Sequence, residues 1–362
     1  MEKNVLKWMT TILGALTITV CLVLGIAPAI KESMQTSSNK KPPQTQQSEN
    51  AGNAQNTEVD SEKGTESESE SEQKPEIQVA GDIDITLPAG IAEGDVEIEN
   101  DYGNKKIYVR FAKVDEGYSK SQAQKGDSKY ISTFSYEKED EKGVLTISLN
   151  TVCEHFYSFK DGHLLIDFKD VHDVYDKIVV IDAGHGGSEP GAIRKDIKEK
   201  RLNLEIVLQI KALFDEVDES KVKVFYTRTE DKHVPLKERS LLANALKADL
   251  FISIHNNSQG EEEFSEYNGT MVLFSEGGLK ESKTLARKCL THVLKNTGSK
   301  DQGLVQGDYV YIVRSSEVPV ALIEVGFMTN EAELDRLSSV SYQKKVAKGV
   351  FDAIMEALEE GL

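Results

Sequence analysis

Hydrophobic and polar positions change rhythm three times along this chain. Trp8 to Ile30 carries no charged residue. As a helix that run is about 34 Å long, enough for a hydrocarbon core of about 30 Å. From residue 31 to about 77, Ser, Gln, Asn, Glu and Lys dominate and no aromatic interrupts them. Such a stretch cannot bury enough apolar surface to offset its ordering entropy, so a disordered linker is expected. From 78 to 172 short runs alternate with period two: Ile83 to Leu87, Ile107 to Phe111, Val144 to Leu149 and Leu164 to Phe168. Turn-forming stretches such as Asp101-Tyr102-Gly103-Asn104 and Lys160-Asp161-Gly162 separate them. The pattern predicts a small all-β domain of sandwich type.

From Lys177 onward strands and helices alternate. Lys177 to Ile181 reads as a continuous apolar strand, and a helix follows from about Glu199 to Glu216. Leu202, Ile206, Ile210 and Phe214 fall on one face of it. Strands are expected at Val222 to Tyr226, Asp249 to Ile254, Met271 to Phe274 and Pro319 to Glu324. Helices are expected at Pro235 to Lys247, with proline well placed near the start, and at Lys280 to Lys295. Two more helices close the chain, the last from about Tyr342 to Glu359. This alternation predicts an α/β domain over 173–362: an open, mostly parallel sheet with helices on both faces.

Charge and cysteine content narrow the picture. The net charge of −18 would repel a phosphate backbone, which excludes nucleic acid as a partner. Three cysteines, Cys21, Cys153 and Cys289, stand far apart and form neither a disulfide framework nor a Cys-x-x-Cys zinc pattern. Lys3 and Lys7 precede the apolar run, so the positive-inside rule puts the rest of the chain outside the cytoplasm. The run is read either as an uncleaved transmembrane anchor or as a signal peptide cleaved near Ala27-Pro28-Ala29. Both place the protein at the cell membrane or in the wall beyond it.

Three apolar strands end in polar residues. Ile178 to Ile181 runs into Asp182-Ala183-Gly184-His185-Gly186-Gly187, Leu250 to Ile254 into His255-Asn256-Asn257, and Val320 to Ile323 into Glu324. Open α/β sheets form sites at the carboxyl ends of their strands. Glu199, near the start of the next helix, returns to that end. Two histidines and a carboxylate suit a zinc site with an open fourth position. Zinc lowers the pKa of water from about 15.7 to about 7. A second carboxylate must then carry the proton to the leaving group, and Glu324 is the candidate. On spacing alone, ordinary loop histidines and a plain tight turn remain equal alternatives. A phosphate-binding loop does not fit: Glu189 stands where Gly-x-Gly-x-x-Gly needs glycine, and no Gly-Lys-Ser/Thr occurs.

Ile181 to Gly187, followed by Glu189-Pro190-Gly191-Ala192 and Glu199-Lys200, resembles the opening of the zinc-dependent N-acetylmuramoyl-L-alanine amidases of the type-3 family. The likeness continues through Thr227-Arg228, Asp231, Leu236, Arg239, Ala243-Asn244 and Ala248 to Asn257, and ends with Pro319 to Asn330. It covers about Lys177 to Leu362, half the chain. The resemblance implies one zinc ion held by His185, Glu199 and His255, with Glu324 as catalytic carboxylate. It implies peptidoglycan as substrate, cut at the amide between the muramoyl lactyl group and the L-alanine of the stem peptide. Asn256, Ser258 and Glu189 depart from the commoner pattern, which leaves substrate preference open.

Weaker candidates surround these four. Asn257 either faces substrate or caps backbone groups. Arg314, expected near the end of a short strand, is a candidate for approach to the cleft. Asp182 either orients a ligand histidine from behind or caps the turn. Arg228 and Arg239 are expected in structural ion pairs. His155, His163, His172, His233 and His292 lack metal-ligand spacing. The β domain is read as wall-targeting or as a plain spacer. Two rival functions stay open: a non-catalytic peptidoglycan-binding protein, against which the presence of all four site residues counts, and a zinc carboxypeptidase. No activator is identifiable.

Overall fold

The structure, a computed structural model, describes residues 81–114, 117–118, 128–259 and 264–362. The expected anchor or signal peptide and the polar linker lie outside the described residues. Among the described residues no helix is long and apolar enough to cross a membrane.

Among the described residues seven antiparallel strands build the β module. Strands β1 (Ile83–Thr86), β7 (His163–Asp170) and β6 (Cys153–Lys160) pair in that order. Strands β2 (Val96–Asp101), β3 (Lys106–Phe111), β5 (Lys142–Leu149) and β4 (Ile131–Glu139) form the second sheet. Period-two alternation turns Leu145 and Ile147 inward from β5, and Leu164, Ile166 and Phe168 from β7. They meet Ile83, Ile85, Ile107 and Val109 in one core shared by the two sheets.

A two-stranded ribbon of β9 (Ile193–Arg194) and β10 (Ile197–Lys198) stands apart. A six-stranded sheet organises the rest. Its order is β11 (Lys223–Tyr226), β8 (Ile178–Ala183), β12 (Leu250–Asn257), β15 (Val320–Phe327), β13 (Thr270–Phe274), β14 (Asp301–Gln306). The first four run parallel. β13 runs antiparallel to β15, and β14 follows β13. The sheet is therefore mixed, with a reversed pair at one edge. Because β12 runs parallel to β15 and β13 antiparallel to it, the chain re-enters the sheet from the end it has just left, and among the described residues between β12 and β13 there is no helix.

Parallel strands bury both faces, and the two faces meet different partners. Val179 and Ile181 pack against α2 (Glu199–Phe214), α4 (Lys280–Thr297) and α7 (Val340–Glu359), with α6 (Glu331–Leu337) beside them. Ile178 and Val180 pack against α3 (Leu236–Ala245) and the short α5 (Tyr311–Arg314). Arg314 thus ends a helical turn, not a strand.

The β module covers part of this second face. Val152 and Val171, which opens the short helix α1 (Val171–Val174), join its apolar cluster. The Tyr102 ring meets Phe225 edge-on at 4.8 Å. Tyr102 and Tyr175 each donate a 3.0 Å hydrogen bond to the buried Glu154 carboxylate. Burial raises Glu154 above its ordinary range despite those bonds.

Candidate metal centre and active site

The site lies at the carboxyl end of the parallel strands. β8 runs out through Gly184 into His185, whose φ of 60° is left-handed and unusual for a residue with a side chain. Two buried arginines hold that backbone. Arg239 donates to Ala183 O and His185 O, each at 2.8 Å, and Arg228 donates to Ala183 O and Gly184 O, also at 2.8 Å. Arg239 is itself fixed by the fully buried Asp182 at 2.5 Å. Burial opposes the Asp182 charge, but Arg239 and the hydroxyls of Ser253 and Thr227 outweigh it and hold the carboxyl below its ordinary range. Asp182 therefore reaches His185 through Arg239 and not by touching its ring.

Glu199 opens α2 and turns its carboxylate toward both histidines. His185 Nε2 lies 3.1 Å from Oε2, and His255 Nδ1 lies 3.0 Å from Oε1. Backbone N–H groups of Ala192 and Asn256 donate to the same carboxylate, as does Asn203 Nδ2. The imidazole centroids are 4.9 Å apart at 73°. One ligand atom from each of the three side chains falls within 4.8 Å of the others. Burial opposes ionisation of Glu199, yet the hydrogen bonds and charges of the two histidines hold it well below the usual carboxylate range. A charged carboxylate and two imidazole nitrogens facing one another suit a divalent cation.

Two glycines make this convergence possible. A Cβ on Gly184 would stand 2.2 Å from His255 Nε2. A Cβ on Gly191, whose φ is 67°, would stand 2.5 Å from Glu199 Oε2 and 2.7 Å from the His185 ring. Neither contact is sterically possible, so the histidines and Glu199 close only over bare backbone.

Glu324 is the fourth member. Parallel pairing sets it directly beside His255, and antiparallel pairing sets Met271 on its other side. Its Oε2 is buried and has no hydrogen-bond partner among the described residues. Burial, and then the Glu199 charge, push the carboxyl up to about 8. Tyr309, on the turn before α5, is 48% exposed, and partial burial and then the Glu324 charge raise its phenol above its ordinary range. Nothing in the sequence singles out a lone loop tyrosine, and it was not anticipated.

The weaker candidates divide. Asn257 Oδ1 accepts from Ser258 N, its Nδ2 lies 3.6 Å from Met271 Sδ, and its carbonyl accepts from Met328 N. Arg314 donates to Tyr309 O at 2.9 Å and stacks over Tyr311, so it braces the turn that carries Tyr309. Among the described residues Arg228 makes backbone contacts and no ion pair.

The α/β sheet, the convergent triad at its strand ends and the half-buried carboxylate beside it together define a hydrolase. The family model described as N-acetylmuramoyl-L-alanine amidase matches residues 179–356. The chain is 34% identical over 179 residues to the uncharacterized protein YqiI of Bacillus subtilis, a match covering 49% of this chain and 83% of that one. It is 30% identical over 179 residues to the sporulation-specific N-acetylmuramoyl-L-alanine amidase of the same organism, covering 49% and 67%. Among solved structures, the catalytic domain of the amidase CwlV from Bacillus (Paenibacillus) polymyxa superposes with a TM-score of 0.47 at 34% identity, covering 51% of this chain and 98% of that one. The chain belongs to the N-acetylmuramoyl-L-alanine amidase family, and is a peptidoglycan hydrolase of that family.

Proposed function

We propose that one zinc ion binds His185 Nε2, His255 Nδ1 and Glu199, and that Glu324 moves the proton during amide hydrolysis. The observation that carries this is the closure of the three side chains over Gly184 and Gly191, with the unpartnered Glu324 beside them. Bound zinc supplies Lewis acidity, bringing the pKa of water from about 15.7 to about 7. Glu324 takes the proton that the attacking water loses. Its raised pKa keeps it able to hold that proton near neutrality and pass it to the leaving nitrogen. Water's oxygen joins the lactyl carbonyl carbon, the C–N bond breaks, and the L-alanine amine leaves with the proton. Arg239 and Arg228 hold the His185 loop in its left-handed conformation throughout.

The N-terminal apolar run is proposed to export the protein or tether it to the membrane, with the polar linker giving reach into the wall. The test is metal analysis of the purified protein, coupled to mass spectrometry of digested wall. Stoichiometric zinc, stem peptides with a free L-alanine amine and intact lactyl groups are expected. Release of a C-terminal amino acid from the stem peptide would instead identify a carboxypeptidase.

A further inference from the structure

The three proposed ligands come from three separate elements, and one side chain hydrogen-bonds beside or to each of them. Asn203 lies one turn beyond Glu199 on α2 and is fully buried. Its Nδ2 donates to Gly184 O at 3.1 Å, next to His185, and to Glu199 Oε1 at 3.3 Å. Its Oδ1 accepts from Asn256 Nδ2 at 2.7 Å, next to His255. The Asn256 backbone N–H then returns to the same Glu199 oxygen at 3.2 Å.

Chemistry fixes the orientation of this pair. Gly184 O and ionised Glu199 can only accept, so the Asn203 amide nitrogen must face them. Its oxygen must then meet a donor, so Asn256 must present nitrogen. That leaves Asn256 Oδ1 buried without a partner among the described residues, and Asn256 is only 2% exposed. A buried polar atom left unpaired costs stability and asks for an explanation. Tying three ligand-bearing elements together supplies one.

We propose that Asn203 is a positioning residue that sets zinc affinity, by holding His185, Glu199 and His255 in binding geometry before the ion arrives. The proposal rests on the zinc assignment above. Ligands held in place by hydrogen-bonded neighbours need no reorganisation on binding, and loss of such neighbours costs about 10–100-fold in metal affinity.

The test uses the full chain and the variants Asn203→Asp and Asn203→Ala. Asp keeps the volume but sets a second acceptor against Gly184 O and Glu199. Zinc dissociation constants are measured by competition with a chelator, and melting temperatures with and without zinc. Both variants are expected to bind zinc about 10–100-fold more weakly, and the zinc-induced rise in melting temperature should shrink accordingly. A lower melting temperature of the metal-free protein with unchanged zinc affinity would make Asn203 an ordinary core residue and overturn the proposal. If neither variant folds, Asn256→Ala serves: it removes the donor to Asn203 Oδ1 and keeps the backbone N–H. Weaker zinc binding there supports the proposal, and unchanged binding overturns it. A wild-type chain that takes up no zinc would overturn the zinc assignment and this proposal with it, a result distinct from either variant outcome.

Discussion

At Glu324, burial and chemistry pull together. A carboxylate with a sealed, unpartnered oxygen destabilises a fold, and it is retained where a proton must change hands. Glu324→Gln keeps the shape and removes the titratable group. It is expected to cut turnover on purified wall by about 10²–10⁴-fold while zinc stays bound. Near-wild-type hydrolysis would remove Glu324 from the mechanism. Gly191→Ala tests the cradle: a methyl 2.5 Å from Glu199 Oε2, on a backbone with φ of 67°, must push the carboxylate away. Zinc content by emission spectroscopy and activity should fall together, and a fully zinc-loaded, active variant would contradict the geometry. The placement of His185, Glu199, His255 and Glu324 at one end of the sheet was legible because each follows an apolar run or opens a helix, whereas their roles were implied only by the family resemblance. Asn203 and Tyr309 were not, and the backbone contacts of Arg228 were not. Their partners are carbonyls and side chains brought close only by folding, such as Gly184 O, 19 positions from Asn203.

Elements repeat this division between what a pattern can and cannot carry. The parallel strands and the long helices were legible from apolar runs and four-residue spacing. β14 was not, because an edge strand need bury only part of one face, and Asp301-Gln302-Gly303-Leu304-Val305-Gln306 carries too few apolar residues to signal itself. The reversal of β13 was equally hidden, since strand direction depends on the connection and not on the strand's own residues. A different kind of contact joins α4 to α7: Lys288 and His292 both reach Glu356. Hydrogen bonds from Lys288 and then His292 hold Glu356 at about 2, below its ordinary 4.5. A depressed carboxyl stabilises the fold fully above the unfolded value and loses that contribution as pH falls through the folded one. The melting temperature of wild type should therefore drop between pH 4.5 and about 2 more steeply than that of Glu356→Gln. Parallel curves for the two proteins would show that the cross-helix contact contributes nothing measurable.

For the whole molecule, the question is what the β module does for the half that carries the chemistry. Its contacts fall on the second face of the sheet and on the carboxyl end of α3, where His172 Nε2 lies 3.0 Å from Leu246 O. The site residues sit at the other end of the strands, and their hydrogen bonds all come from residues beyond Asp182. A fragment over 173–362 is thus expected to fold, bind zinc and cut soluble muropeptides at the full-chain rate. It should nevertheless melt at a lower temperature. Cutting there removes Val152, Val171 and Tyr102 from a shared apolar cluster and leaves Tyr175 and Phe225 uncovered. Burying one valine-sized side chain is worth about 1.5–3 kcal/mol. Losing roughly 3 kcal/mol in a domain of this size lowers the melting temperature by roughly 6–12 °C. Thermal unfolding and initial rates, measured on the fragment and the full chain side by side, separate the two effects. A fragment that is folded and zinc-loaded yet inert on soluble muropeptides would show that the β module completes the active site, and the division of the chain at residue 173 would then be wrong.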